Sequence, residues 1–155
     1  MNTSNHASLQ TPEATVHRLY AEFLNEGNTA TADELISPDF TGPAGKGPDA
    51  FKSTVLPLRQ AFPDLRFIIQ DTVVEGSRVV VRWTWQATHR GLFAGIAPTG
   101  RVVTNEGIAI YRLEDGEIAE AWAQMDRLGV LQQLGGVPPQ GQARPVPPAE
   151  ISTPA

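Results

Sequence analysis

The chain has 155 residues, 41% of them hydrophobic, with a net charge of −5 and an isoelectric point near 5.1. That is enough for one domain with a sizeable core. No Lys/Arg run or basic patch occurs, which argues against nucleic acid or an anionic membrane as partner. With no cysteine, disulfides and thiolate chemistry are excluded.

The polar start, MNTSNHASLQ, lacks the apolar stretch of a signal peptide. No apolar run approaches the roughly 18 residues of a membrane span. The expectation is a soluble, cytoplasmic protein. Residues 1–10 read as a flexible lead, 11–135 as the folded domain and the Pro-rich 136–155 as a tail.

Thr11 is placed to cap a first helix, with Pro12 at its first position and Glu13 in its first turn. Val16, Leu19, Tyr20, Phe23 and Leu24 recur at helical spacing, and Gly27 ends the run. A shorter helix over 31–36 is broken by Ser37-Pro38-Asp39, and 42–47 reads as loop. Phe51, Val55, Leu58 and Phe62 predict a third helix over 48–62. Strands are expected at 65–75, 78–89, 102–113 and 117–125. Glu75-Gly76-Ser77 turns the first hairpin and Asp115-Gly116 the last. The connection 90–100 carries Leu92, Phe93 and Ile96 among its glycines and prolines, as a lid or an interface would. A closing helix spans 127–134. Helices first and strands afterwards make an α+β fold, one curved antiparallel sheet with helices packed on one face.

Alternation sorts the strand side chains. Val79, Val81, Trp83, Trp85, Ala87 and His89 share the helix-facing side of the second strand. Gly107, Ala109, Ala121 and Ala123 put small residues on that same face, beside Trp83, Trp85 and Tyr111. Small residues under covering helices leave room for a flat apolar ligand. The expected pocket takes Trp83, Trp85, Ala109, Ala123 and Met125 from the sheet. Phe23 and Phe51 come from the helices and Phe93 from the loop. The opposite face carries Ile108, Ile110, Ile118 and Trp122, and no second helical layer remains to cover it. A homodimer through that outer face is the simplest cover.

The chain resembles the SnoaL-like polyketide cyclases of the nuclear-transport-factor-2-like superfamily. Phe62-Pro63-Asp64, His89-x-Gly91 and Gly95-x-x-Pro98-Thr99-Gly100-Arg101 carry the resemblance, with Asp115-Gly116-x-Ile118-x-Glu120 and Asp126-x-x-Gly129 through Gln133-Leu134-Gly135. It covers residues 11–135. It implies a cone-shaped barrel with an apolar cavity between sheet and helices, and cofactor-free ring closure by aldol chemistry. The resemblance also implies an acid/base Asp on the last strand and a His on the strand before it. Those positions are Ala123 and Ala109 here. Related folds host isomerases, dehydratases and epoxide hydrolases, so the fold alone does not choose the reaction.

Three polar residues share the cavity face. His89 carries an imidazole, the side-chain type suited to proton transfer, or it simply fastens the 90–100 loop. Asn105 is placed to bond a substrate carbonyl or enolate, or is a polar residue near a strand end. Tyr111 is a donor or plain core. Asp126 directly precedes a helix and reads as its N-cap. Three dispersed histidines and no cysteine give no metal-ligand cluster, and no glycine-rich phosphate motif opens a helix. The expected function is a cofactor-free cyclase or isomerase acting on a small apolar carbonyl compound, with His89, Asn105 and Tyr111 as candidate catalytic residues. The alternative is a small-molecule binder without the acid/base pair.

Overall fold

Thr11 accepts the Ala14 N–H at 3.1 Å and starts α1 (Pro12–Arg18). The helix does not continue regularly. Leu19–Leu24 is a π-helical segment, in which the Asn25 N–H reaches the Tyr20 carbonyl at 2.9 Å. The wider turn buries Leu19, Tyr20, Phe23 and Leu24 together. Asn25 then fastens this end to the sheet, bonding the Phe67 N–H at 2.7 Å and its carbonyl at 3.2 Å. The chain is described by a computed structural model over residues 10–137. Most of the expected lead and tail lie outside the described residues.

Asn28 caps α2 (Thr29–Leu35), and β1 (Ile36–Gly42) follows at once. A tight turn leads to β2 (Gly45–Lys46) and then to α3 (Gly47–Ala61). Pro57 lies inside α3. The rest is a meander: β3 (Phe67–Glu75), β4 (Arg78–Thr88), β5 (Val102–Glu114) and β6 (Glu117–Met125), closed by α4 (Arg127–Gln133). At the last hairpin Asp115 and Gly116 both have positive φ, at 51° and 80°, the twist a two-residue hairpin turn requires.

The sheet order is β2-β1-β6-β5-β4-β3. The sheet is mixed, not wholly antiparallel: β1 runs parallel to β6, with Ile36 opposite Ile118 and Thr41 opposite Glu120. Ser37-Pro38-Asp39 reads as a break because Pro lacks a ladder donor. In the fold Pro38 sits inside the irregular stretch between Ile36 and Thr41, where no ladder bond is needed.

On β4 the expected face is buried, from Val79 to His89. On β6 the expected alternation fails at one point. The register slips between Arg112 and Leu113, which turns Ile118 into the core at 0% exposure. Ile118 therefore does not belong to the outer face with Ile108 and Trp122.

The resemblance motifs tie the ends of the elements together. Asp64 accepts from the Thr88 N–H at 2.7 Å and its hydroxyl at 2.8 Å, and these bonds hold its carboxyl below the usual carboxylate range. Gly91 donates to the Ala61 carbonyl at 3.0 Å, and a Cβ on Gly91 would meet the Gln60 carbonyl oxygen at 2.5 Å. Asp126 caps α4 by accepting the Gly129 N–H at 2.9 Å. A Cβ on Gly129 would collide with the same carboxylate. Sequence features of this kind specify a fold before they specify a reaction.

Candidate active site

Small residues on β5 and β6 open a cleft under α3. One half, about 230 Å³, lies against the β1–β2 turn. Phe40 and Ala44 wall its end, Phe51 covers it, and Ala109, Ala121 and Ala123 form its floor. Gly42 permits this wall, because a Cβ there would meet the Phe40 ring at 2.9 Å. A second pocket, about 280 Å³, adjoins the first at Thr54, the one residue that lines both, and makes the loop-side half of the site. Pro57 and Leu58 of α3, Phe93 of the loop, Met125 and Arg127 line it.

Ala109 and Ala123 face each other as a cross-strand pair. Ala109 is buried at 2% exposure, whereas Ala123 is open to solvent. The positions that the resemblance gives to an acid/base His and Asp thus meet on the cleft floor and are both methyl groups.

Tyr111 enters the hairpin-side half from β5, opposite Ala121. Its hydroxyl lies 3.0 Å from that of Tyr20. Two hydroxyls carry two protons, and their mutual bond uses one. Neither has another hydrogen-bond partner among the described residues. As placed, Tyr111 donates to Tyr20; turning both hydroxyls, so that Tyr20 donates instead, leaves the Tyr111 proton for a molecule in the cleft. Burial pushes the Tyr111 phenol up to about 12 and raises Tyr20 as well, so both stay protonated near neutrality.

His89 sits behind this cleft, at 0% exposure, with its ring 5.4 Å from that of Phe62. Its Nδ1 accepts the Thr99 N–H at 3.1 Å, and its backbone bonds Gly100 and Arg101. With Nδ1 accepting, the ring N–H is at Nε2, which has no partner among the described residues. Asn105 accepts the Glu106 N–H at 2.9 Å and leaves its buried Nδ2 unpartnered. Neither residue lines the cleft.

Of the expected lining residues, Phe51, Ala109 and Ala123 meet in one half, Phe93 and Met125 in the other. Trp83, Trp85 and Phe23 are core residues behind the walls. Trp83 also fills the space expected at Gly107: the two are cross-strand partners, and a Cβ on Gly107 would run into the indole. Sequence reasoning missed the β1–β2 wall and Arg127. The run Gly42-Pro43-Ala44-Gly45 was a turn signal that could have found the first. Arg127 had no local signal.

Among the described residues no three His, Asp or Glu side chains are grouped to hold a metal ion, and no helix is long and apolar enough to cross a membrane.

A curved sheet with helices on one face and an apolar cleft between them defines the nuclear-transport-factor-2-like class of α+β folds. The chain matches the SnoaL-like polyketide cyclase family over residues 14–134, and it belongs to that family. It is 30% identical to the aklanonic acid methyl ester cyclase DauD of Streptomyces sp. (strain C5), over 88% of this chain and 91% of the relative. A nogalonic acid methyl ester cyclase of Streptomyces nogalater is also 30% identical, over 72% of this chain and 89% of the relative. Among solved structures, a polyketide cyclase candidate from Acidithiobacillus ferrooxidans is similar at 31% identity and a TM-score of 0.72. That match covers 88% of this chain and 99% of the other.

Proposed function

We propose that this chain is a cofactor-free cyclase or isomerase for a flat, apolar, carbonyl-bearing compound, with Tyr111 as the catalytic donor. The observation that carries the reading is the unspent proton of the Tyr20–Tyr111 pair beside a floor of alanines. In an intramolecular aldol closure, a carbon between two carbonyls loses a proton and bonds to a second carbonyl carbon. That carbonyl oxygen takes up a proton, so the product is an isomer of the substrate and no oxidant is consumed. Charge develops on oxygen, and a preorganised phenol in a dry site stabilises it. With the two hydroxyls turned so that Tyr20 donates to Tyr111, Tyr20 strengthens that donor.

Ala109 and Ala123 supply no base, so water at the open Ala123 end takes the carbon-bound proton. His89 fastens the loop that carries Phe93, and Asn105 lies outside the cleft, in a separate hollow with Thr84, Glu106 and Gln133. A second reading has its own support in those two alanines: the cleft binds such a compound and does not convert it. Aklanonic acid, offered both as the free acid and as the methyl ester named for the relative DauD, separates the two. Conversion to an isomer by the wild type, reduced at least about tenfold in Tyr111→Phe, supports catalysis. Tight binding without conversion supports the binder, and absence of both overturns the small-molecule reading.

We also propose a homodimer through the outer sheet face. Ile68, Val73, Ile108 and Trp122 expose large apolar surface there, Ile108 at 48% and Trp122 at 42%. Association would remove that area from water.

A further inference from the structure

We infer that the loop-side half of the cleft recognises a carboxylate, so that the compound bound is a flat polyketide acid and not its ester. This rests on the small-molecule reading of the cleft given above.

Arg127 lines this half beside Phe93 and Met125. Its guanidinium lies 5.4 Å from the centre of the Phe93 ring. Its guanidinium makes no ion pair or hydrogen bond among the described residues. The chain's other cleft-lining residues carry no charge; Tyr111 is the only further ionisable group, and it stays neutral. The cleft therefore presents one cation and no anion. A guanidinium stacked on an aromatic ring keeps its edge free, and that edge matches a carboxylate with two parallel N–H bonds.

The spacing fits such a compound. From Ala121 to Met125 the β6 floor runs on the order of 13 Å, about the length of a three-ring fused system. Tyr111 stands at one end of that floor and Arg127 at the other. A carbonyl near Tyr111 and a carboxylate at Arg127 would both be engaged by one flat molecule. A methyl ester is neutral and leaves the guanidinium with only a weak acceptor. The relatives DauD and its nogalonic counterpart are named for methyl esters. This chain would then act on the free acid, ahead of any step that esterifies it.

The test uses anthraquinone-2-carboxylate and its methyl ester as probes, with binding read by tryptophan fluorescence at pH 7.5 in low and high salt. The wild type is expected to hold the acid at least about tenfold tighter than the ester, with the preference shrinking as salt rises. Arg127→Met should abolish the preference and leave ester affinity within about twofold, and Arg127→Lys should restore part of it. Arg127 is exposed on α4, so both variants should fold, which circular dichroism checks. Equal wild-type affinity for acid and ester, or a preference that survives Arg127→Met, overturns the inference and leaves the cleft reading standing. Binding of neither probe overturns the cleft reading and the inference together.

Discussion

The hydroxyls of Tyr20 and Tyr111 meet at 3.0 Å inside the core, joining the π-helical segment to β5. Their rings are perpendicular, 6.1 Å apart between centres. Each hydroxyl is the other's only protein partner among the described residues. Removing one strands a buried polar group, at a cost of about 1–3 kcal/mol, whereas removing both is milder. Tyr20→Phe and Tyr111→Phe should each lower the urea midpoint, and the double variant should be less destabilised than the sum. Strict additivity would show that the bond does not form in solution.

These two are the only tyrosines in the chain, so absorbance at 295 nm reports the pair alone. Burial raises both folded-state pKa values, Tyr111 to about 12. The unfolded chain gives up its tyrosine protons near pH 10. Between those values the folded state binds more protons than the unfolded state, so stability falls as pH rises. The contribution is complete below about pH 10 and is lost as pH climbs through about 12. No tyrosinate signal should appear below pH 10 while the protein stays folded. A normal phenol titration curve in the native protein would contradict the buried pair.

Ala123→Asp restores a carboxylate where the resemblance places one. The position is open to solvent, so the variant should fold with little loss of stability. A positioned acid/base group is worth roughly 10²–10⁴ in rate, and turnover of aklanonic acid, free or as its methyl ester, should rise by at least about tenfold. An unchanged rate in a folded variant would mean that the proton is not handled over this part of the floor. Ala109→His is a harsher change, because that site is buried and overpacking costs about 1–3 kcal/mol.

His89→Ala should act on stability. The ring is wholly buried, packs on Phe62 and accepts the Thr99 amide, so its loss leaves a cavity and an unpaired N–H. The expected cost is about 2–4 kcal/mol, with faster hydrogen exchange at Thr99 and Gly100. Replacement without loss of stability, together with a large loss of turnover at saturating substrate, would instead give His89 a direct part in the chemistry.

Ile108→Lys places a charge in the middle of the exposed outer face. Light scattering after size exclusion should give a dimer for the wild type and a monomer for the variant. A wild type that is monomeric at tens of micromolar removes the dimer proposal.

The meander from β3 to β6 was legible because alternation and turn chemistry are local, but counting out from Asp115-Gly116 sets Ala109 opposite Trp122, and only the slip between Arg112 and Leu113 brings it to Ala123. The long connection between β4 and β5 fixes no such register, so the pairing of Trp83 with Gly107, which fills the glycine's space, was not reached by counting. β1 was not legible either. Its turn-forming Ser37-Pro38-Asp39 is extended only because a parallel partner, β6, lies alongside it, and no local pattern records that. The π-helical turn was hidden for a different reason: Leu19, Tyr20, Phe23 and Leu24 keep an apolar spacing that a regular helix would share. Arg127 is legible only in space, from its place beside Phe93 and Met125.

The parallel contact between β1 and β6 also has a kinetic side. β1 is made early in the chain, yet its sheet partner comes near the end, across the whole meander. Closing so long a loop costs entropy before any contact repays it, so this edge should dock late and open first. The cleft's end wall, Phe40 and Ala44, travels with that edge. A molecule held against it would lock the last-formed seam of the fold, and its arrival would be felt as slower exchange of the β1 amides, far along the chain from the loop that closes the other end.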